Sequence, residues 1–123
     1  MRALVIDDSR SAREILADIL KEIGFDVLKA RDAREGMAIL AEIKTADVVL
    51  VDWLMPGMTG LESIHAVRAN PAYSEVPLMM VTTETEMPQV VLALEAGANE
   101  YVMKPVTREM IIEKLNLLGV VIP

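Results

Sequence analysis

Short apolar runs alternate along the chain with longer segments in which apolar residues recur at helical spacing. An apolar run rich in β-branched residues and bounded by turn residues is typical of a strand buried on both faces of a parallel sheet. The run at residues 26–30 is more polar, which indicates a strand nearer the sheet edge. The pattern predicts five strands, at residues 3–6, 26–30, 47–51, 76–81 and 101–103.

Amphipathic helices are predicted between these strands, because capping residues precede segments with apolar residues every three or four positions. In the first helix, Ser11 followed by Glu14 is a possible capping box, and Ser9 is an alternative cap. Ile15 belongs to the predicted apolar side of this helix and Arg13 to its polar surface. The other helices are predicted at residues 33–43, at 61–69, from Pro88 to Gly97 with Val90, Val91 and Leu94 on the apolar side, and from Thr107 to about 118.

This alternation of strand and helix predicts an α/β fold, in which a doubly wound parallel sheet carries helices on both faces. A chain of 123 residues without an internal repeat or linker is expected to form one domain, over residues 1–123. In such a sheet, ligands bind in the crevice beyond the carboxyl ends of the strands. The residues that follow each strand are therefore the candidates for chemistry.

Oxygen-bearing and cationic side chains follow four of the five predicted strands. Asp7 and Asp8 follow the first strand, Asp52 the third, Thr82 the fourth and Lys104 the fifth. Carboxylates packed together repel unless a cation joins them, and hard oxygen ligands without His or Cys select Mg²⁺ or Mn²⁺. A metal ion beside a lysine suits a phosphoryl group, and a carboxylate between them can become an aspartyl phosphate.

Each of these residues has an ordinary explanation when it is taken alone. Asp7 and Asp8 would be charges near a helix N-terminus, Asp52 a solvated turn residue, and Lys104 a surface lysine. The lone histidine, His65, is explained better by a solvated side chain than by a ligand or a base. Only the conjunction of these residues at one edge of the sheet favours a functional site.

Composition narrows the class of protein further. The chain has no cysteine, and no apolar run approaches the ~20 residues that a membrane span requires. The net charge of −7 argues against binding to the phosphates of nucleic acid. We expect a soluble cytoplasmic protein that binds neither nucleic acid nor a membrane.

The whole chain resembles the receiver domain of two-component response regulators, with the matching residues in the family's order: Asp7-Asp8, Asp52, Thr82 and Lys104-Pro105. Three segments resemble in particular the single-domain chemotaxis regulators of the CheY type: Asp52-Trp53-Leu54-Met55-Pro56, Gly60-Leu61-Glu62 and residues 100–105. This resemblance implies a flavodoxin-like five-stranded sheet with the strand order 2-1-3-4-5 and five helices.

The resemblance also implies a role for each matching acidic residue. Asp52 would accept a phosphoryl group from a histidine kinase. Asp8 and Asp52 would hold Mg²⁺ together with the backbone carbonyl of Leu54, and Asp7 would assist through water.

The remaining matching residues would complete the site and its switch. Lys104 and Thr82 would each contact a phosphoryl oxygen, and the Lys104-Pro105 peptide bond is expected to be cis. Tyr101 matches the family's switch aromatic, which turns inward as the hydroxyl residue moves toward the phosphate. Leu54 and Glu84 occupy the positions that tune phosphoryl lifetime, and we hypothesise that Leu54 hinders the attacking water.

The favoured function is that of a stand-alone response regulator, because the chain ends at Pro123 directly after its last predicted helix and binding would then be its output. The expected partners are a histidine kinase and a protein effector such as the flagellar motor switch, and the protein is expected to be a monomer. Beyond self-phosphorylation and autodephosphorylation, no enzymatic activity is expected. The alternatives are a phosphotransfer relay or phosphate sink and, third, an Mg²⁺-dependent aspartyl phosphatase, although Leu54 stands where such phosphatases use an acid.

Overall fold

The computed structural model describes residues 1–53, 60–83 and 90–123, which form a parallel sheet with helices between its strands. The strands are β1 (Arg2–Ile6), β2 (Asp26–Ala30), β3 (Val48–Asp52), β4 (Leu78–Thr82) and β5 (Glu100–Met103). The helices are α1 (Arg10–Ile23), α2 (Ala33–Ile43), α3 (Gly60–Ala69), α4 (Val90–Ala96) and α5 (Arg108–Leu117), with a short 3-10 helix at Pro71–Tyr73.

The five strands pair in the order β2-β1-β3-β4-β5, and all four pairings are parallel. This order confirms the predicted doubly wound α/β fold with five helices. The more polar strand β2 lies at one edge of the sheet, as predicted, while β3 and β4 are buried along their whole length.

The core is aliphatic and lies on both faces of the sheet. Successive strand residues point to opposite faces, so each central strand contributes to both layers. On the face covered by α1 and α5, Val5, Leu50 and Val81 are fully buried. On the face covered by α2, α3 and α4, Leu4 and Val49 are fully buried. The two layers hold the carboxyl ends of the strands at one rigid edge.

Four strands differ by one or two residues from their predicted bounds: β1 and β5 each begin one residue earlier, and β3 and β4 are shifted toward their carboxyl ends. β3 begins at Val48, one residue later than predicted, and the preceding Asp47 contacts Arg2 twice: its N–H donates to the Arg2 carbonyl at 2.9 Å, and its carboxylate accepts the Arg2 N–H at 2.7 Å. β4 begins at Leu78, after the proline that cannot donate a ladder hydrogen bond. Both strands also extend one residue beyond their predicted ends, so Asp52 and Thr82 are the last residues of β3 and β4.

The cap of α1 is Ser9, whose hydroxyl accepts the Ala12 N–H at 3.4 Å, so the alternative to Ser11 is the cap in the structure. The prediction that Ile15 lies on the buried side of α1 is wrong. Its side chain is 57% exposed and lines an apolar cavity beside Pro105 and Val106, because the apolar stripe of the helix is wider than the face that meets the sheet.

The apolar side of α4 was also predicted too broadly. Val90 is buried, but Val91 is 60% and Leu94 is 41% exposed. A helix of this sheet layer contacts the core along one stripe, and these two side chains lie beyond that stripe. The fourth helix therefore carries apolar surface that the sheet does not cover.

Arg68, near the end of α3, joins several segments at the amino edge of the sheet. Its guanidinium donates to the carbonyls of Gly97 at 2.9 Å and Tyr73 at 2.8 Å, and to the Asn99 side-chain oxygen at 2.8 Å. The same Asn99 oxygen accepts the Leu78 N–H at 2.8 Å. One side chain thus ties together the ends of α3 and α4 and the beginning of β4.

Gly60, the first residue of α3, packs directly on the end of β3. Its N–H donates to the Trp53 carbonyl at 2.7 Å. A Cβ atom on residue 60 would lie 2.7 Å from both the Asp52 carbonyl oxygen and the Trp53 Cα. Both neighbours are backbone atoms, so any larger residue must displace α3 from the strand that carries Asp52.

We expect the substitution Gly60→Ala to lower the free energy of unfolding by about 1–3 kcal/mol, the usual cost of overpacking. Because the clash is at Trp53, the emission of this tryptophan should also change. Urea unfolding and the fluorescence spectrum measure the two effects. Gly119→Ala is the control: residue 119 has a positive φ of 76° but open space around it, so it should lower stability and leave the emission unchanged. Wild-type stability in Gly60→Ala would contradict the close packing.

Candidate functional site

The carboxyl edge of the sheet brings together residues that end β3 or follow β1 and β5. Asp52 ends β3, which lies between β1 and β4 in the middle of the sheet. Its side chain is nearly buried, with 8% of its surface exposed. The acid is therefore held in a partly dry environment at the edge where parallel sheets bind ligands.

Three carboxylates converge at this edge. One oxygen from each of Asp7, Asp8 and Asp52 lies within 4.8 Å of the others. Asp7 is fully buried, Asp52 is nearly so, and Asp8 is exposed. Like charges at this separation repel, and burial strengthens the repulsion because it removes water.

Asp7 is the most deeply buried of the three acids. Burial raises the pKa of its carboxyl, and the neighbouring Asp8 raises it further, whereas the Ser9 N–H, Lys104 and Arg13 act in the opposite direction. Its Oδ1 accepts the Ser9 N–H at 2.9 Å. Its buried Oδ2 accepts no hydrogen bond from any residue in the described parts of the chain.

Lys104 supplies positive charge directly to the cluster. Its Nζ lies 3.1 Å from Asp52 Oδ1. Its backbone N–H donates to the Thr82 carbonyl at 2.8 Å, which continues the pairing of β4 and β5 beyond the last strand residue. The Lys104-Pro105 peptide bond is cis, as the resemblance implies.

Thr82 is fully buried at the end of β4, next to β3 in the sheet. Its hydroxyl donates to the Thr83 carbonyl at 3.2 Å. The structure therefore places a hydroxyl, an ammonium and three carboxylates at the strand ends that the sequence singles out.

Tyr101 lies on the edge strand β5 and is half-buried. The Lys114 ammonium, from α5, lies 4.6 Å from the centre of its ring. Lys114 is also 3.1 Å from Glu100 Oε1, and this oxygen accepts the Tyr101 N–H at 3.0 Å. The carboxylate, the ammonium and the aromatic ring thus form a compact cluster that joins β5 to α5.

Sequence reasoning missed two contributors to the site. Arg13, which we placed on the polar surface of α1, is half-buried and donates to the Asp7 carbonyl at 2.8 Å. Ser9, considered only as a helix cap, also holds Asp7 through its N–H. An arginine one turn into the helix that follows a pair of aspartates is near enough in sequence to contact them. Spacing alone cannot show whether its side chain turns toward them.

The donor set fits a hard divalent cation. The buried Asp7 oxygen, which no described residue contacts through a hydrogen bond, lies within a cluster of carboxylates, and such oxygens are ligands of Mg²⁺. The predicted carbonyl ligand and tuning residue Leu54, the tuning residue Glu84 and the predicted helix start at Pro88 lie outside the described residues.

The sequence model of the response regulator receiver domain matches residues 3–116 of the chain. A chemotaxis protein CheY homolog of Campylobacter jejuni is 41% identical over 121 residues, which cover 97% of this chain and 93% of that protein. The chemotaxis protein CheY1 of Helicobacter pylori, strain J99, is 39% identical over 119 residues and 96% of both chains.

Solved structures agree with this relationship. Chemotaxis protein CheY4 of Vibrio cholerae superposes with a TM-score of 0.87 at 33% identity, and the match covers 95% of this chain and 97% of that one. The fold and the cluster of acids beside a lysine define a receiver-type site. The chain belongs to the response regulator receiver domain family.

Among the helices in the described parts of the chain, none is long and apolar enough to cross a bilayer.

We expect Asp7→Asn to raise the free energy of unfolding in Mg²⁺-free buffer by about 1 kcal/mol, within the range typical of stabilising substitutions. The reason is that an amide removes one of three clustered charges and can donate a hydrogen bond to a neighbouring carboxylate. Asp18→Asn, an exposed acid on α1, is the control for net charge and should have little effect. Equal or lower stability for Asp7→Asn, by urea unfolding, would contradict the repulsion.

Proposed function

We propose that this receiver domain accepts a phosphoryl group on Asp52 from a histidine kinase and thereby changes its affinity for a protein partner in a chemotaxis pathway. The observation that supports this function best is the environment of Asp52. A nearly buried carboxylate at the end of the central strand lies 3.1 Å from Lys104 and beside two further acids. The chemotaxis assignment is supported by the names of relatives that match over nearly the whole chain.

In the proposed transfer, an Asp52 oxygen attacks the phosphorus of a phosphohistidine on the kinase. A phosphorus–oxygen bond forms, the phosphorus–nitrogen bond breaks, and the released imidazole nitrogen takes up a proton. Lys104, already paired with the same carboxylate, would bind a phosphoryl oxygen, and the Thr82 hydroxyl would donate to another. Positioning and charge stabilisation of this kind provide most of the catalysis in phosphoryl transfer.

Asp8 and Asp52 would hold Mg²⁺, with Asp7 assisting through water and the Leu54 carbonyl as a further ligand that the sequence resemblance implies. When bound, the ion supplies positive charge that neutralises the oxygens of the transferred group. The three acids would fix the position of the ion. Because Asp7 and Asp52 are buried, little water would screen the attraction between the ion and the phosphoryl oxygens.

The output is proposed to be a change at the surface formed by α4, β5 and α5. A phosphoryl group adds roughly two negative charges to Asp52, which favours an arrangement where Lys104 and Thr82 close on it. Tyr101 would then pack inward and leave the Lys114 ammonium that now lies over its ring. The exposed Val91 and Leu94 of α4 give this surface apolar area for a partner such as a flagellar motor protein.

Several finer points remain predictions: slow self-phosphorylation and autodephosphorylation, the tuning of phosphoryl lifetime by Leu54 and Glu84, a monomeric state, a cytoplasmic location and a single domain over residues 1–123.

A phosphotransfer relay or phosphate sink is not favoured, because the relatives at 41% and 39% identity are chemotaxis regulators of nearly the same length. Reverse transfer to a histidine phosphotransfer protein would indicate the relay.

We expect the activated protein to capture a partner that the resting protein does not. The full chain is immobilised, incubated with host lysate with and without Mg²⁺ and beryllofluoride, and the bound proteins are compared. Asp52→Asn should lose both the partner and the label transferred from a phosphorylated histidine kinase. Asp18→Asn, which changes the same charge on an exposed position, should retain both. Transfer of label to Asp52→Asn at the wild-type level would contradict the assignment of the acceptor.

The contact between Lys114 and Tyr101 should oppose activation. A cation–π contact of this kind is worth about 0.5–1 kcal/mol, which corresponds to roughly a two- to fivefold change in an equilibrium. We therefore expect Lys114→Met, which keeps the aliphatic stem, to lower the beryllofluoride concentration needed for half-maximal activation by that factor. NMR signals of Tyr101 report the change. Lys21→Met, at an exposed position on α1, should behave as wild type. An unchanged or raised midpoint in Lys114→Met would contradict the proposal that this contact opposes activation.

A further inference from the structure

Arg13 connects the first turn of α1 to the end of β1. Its guanidinium donates to the backbone carbonyl of Asp7 at 2.8 Å, while its own backbone N–H donates to the Ser9 carbonyl at 2.9 Å. The side chain is half-buried, so this hydrogen bond is partly protected from water. A charge-assisted hydrogen bond in such a place is among the stronger ones in a protein.

Together these contacts fix Asp7 almost completely. Its N–H donates to the Ala30 carbonyl at 3.0 Å, its carbonyl accepts from Arg13, and its Oδ1 accepts from the Ser9 N–H. Among the described residues, none donates to the buried Oδ2, which belongs to the carboxylate cluster. One carboxylate oxygen is thus left for a ligand while every other polar atom of Asp7 is held in place.

We propose that Arg13 is a positioning residue for the divalent-cation site, which it serves by fixing the backbone from which the Asp7 and Asp8 carboxylates project. This inference rests on the proposed function, because it assumes that the acid cluster binds Mg²⁺. Arg13 contacts the carbonyl of Asp7 and not a carboxylate, so it acts through the acids and holds no ligand itself.

The positive charge of Arg13 and its hydrogen bond to Asp7 predict opposite effects on Mg²⁺ affinity when the residue is removed. An arginine close to the cluster repels a cation, so removing its charge strengthens Mg²⁺ binding if charge is all that matters. If Arg13 positions the acids, its removal weakens Mg²⁺ binding in spite of the lost repulsion. Partners that orient metal ligands typically contribute tenfold or more to metal affinity. The sign of the effect therefore distinguishes the two roles.

The test is a titration of the full 123-residue chain with MgCl₂, followed by Trp53 fluorescence and by the backbone NMR signals of Asp8 and Ser9. We expect Arg13→Met to bind Mg²⁺ about fivefold to tenfold more weakly than wild type, at both low and high ionic strength. Arg13→Lys keeps the charge and a hydrogen-bond donor, and it should recover part of the affinity.

Two matched controls remove one positive charge without breaking the bond to Asp7. Arg10→Met changes an exposed arginine on the same helix and should bind Mg²⁺ as tightly as wild type or slightly more tightly. Lys29→Met breaks the 2.8 Å ion pair between Lys29 and Glu14 that ties α1 to β2, so it reports the effect of a loosened helix. It should leave Mg²⁺ affinity near the wild-type value even where urea unfolding shows lower stability.

The outcomes separate the inference from the function on which it rests. Equal or tighter binding by Arg13→Met, with normal binding by the wild type, would overturn the positioning role and leave the Mg²⁺ site standing. Equal weakening in Arg13→Met and Lys29→Met would overturn it also, since general loosening of α1 would explain both. A wild-type protein that does not bind Mg²⁺ would overturn both the inference and the metal site. Weak binding confined to Arg13→Met, partly recovered in Arg13→Lys, supports the proposal.

Discussion

The concentration of negative charge at the carboxyl edge of the sheet is the constraint on which the site depends. Three carboxylates lie within 4.8 Å of one another, and two of them are almost removed from water. The fold offsets this repulsion with nearby positive charge and hydrogen-bond donors: Lys104 contacts Asp52, and the Ser9 N–H holds Asp7. The offset is incomplete, because one buried oxygen of Asp7 has no hydrogen-bond donor among the described residues.

This incomplete offset would allow the proposed site to respond to a cation and to a phosphoryl group. A region with excess negative charge gains more from a bound cation than a neutral region does, and a carboxylate already paired with lysine is poised to share that lysine with a phosphoryl group. The aliphatic layers on both faces of the sheet hold the acids in place against their repulsion. Repulsion between the acids thus lowers stability at the edge of the sheet, and packing of the aliphatic core offsets it. This combination is common in proteins with functional sites.

The sequence was sufficient for the fold class and for the residues at the strand ends, because both follow from the period of apolar positions and from where each apolar run stops. It was not sufficient for side chains whose role depends on direction. Arg13 turns toward Asp7, and Ile15, two positions later, turns toward solvent, although periodicity placed the first outside and the second inside. The need for glycine at position 60 depends on the distance between two backbones, and the Glu100–Lys114 pair joins residues on separate elements, so neither has a local sequence signal.

The hydrogen bonds of Arg68 lie at the opposite edge of the sheet from the acids, and they have a consequence for how the molecule tolerates change. Because one guanidinium meets the carbonyls of Tyr73 and Gly97 and the side chain of Asn99, the connections that enter β4 and β5 have fixed lengths. An insertion there would separate the guanidinium from its acceptors.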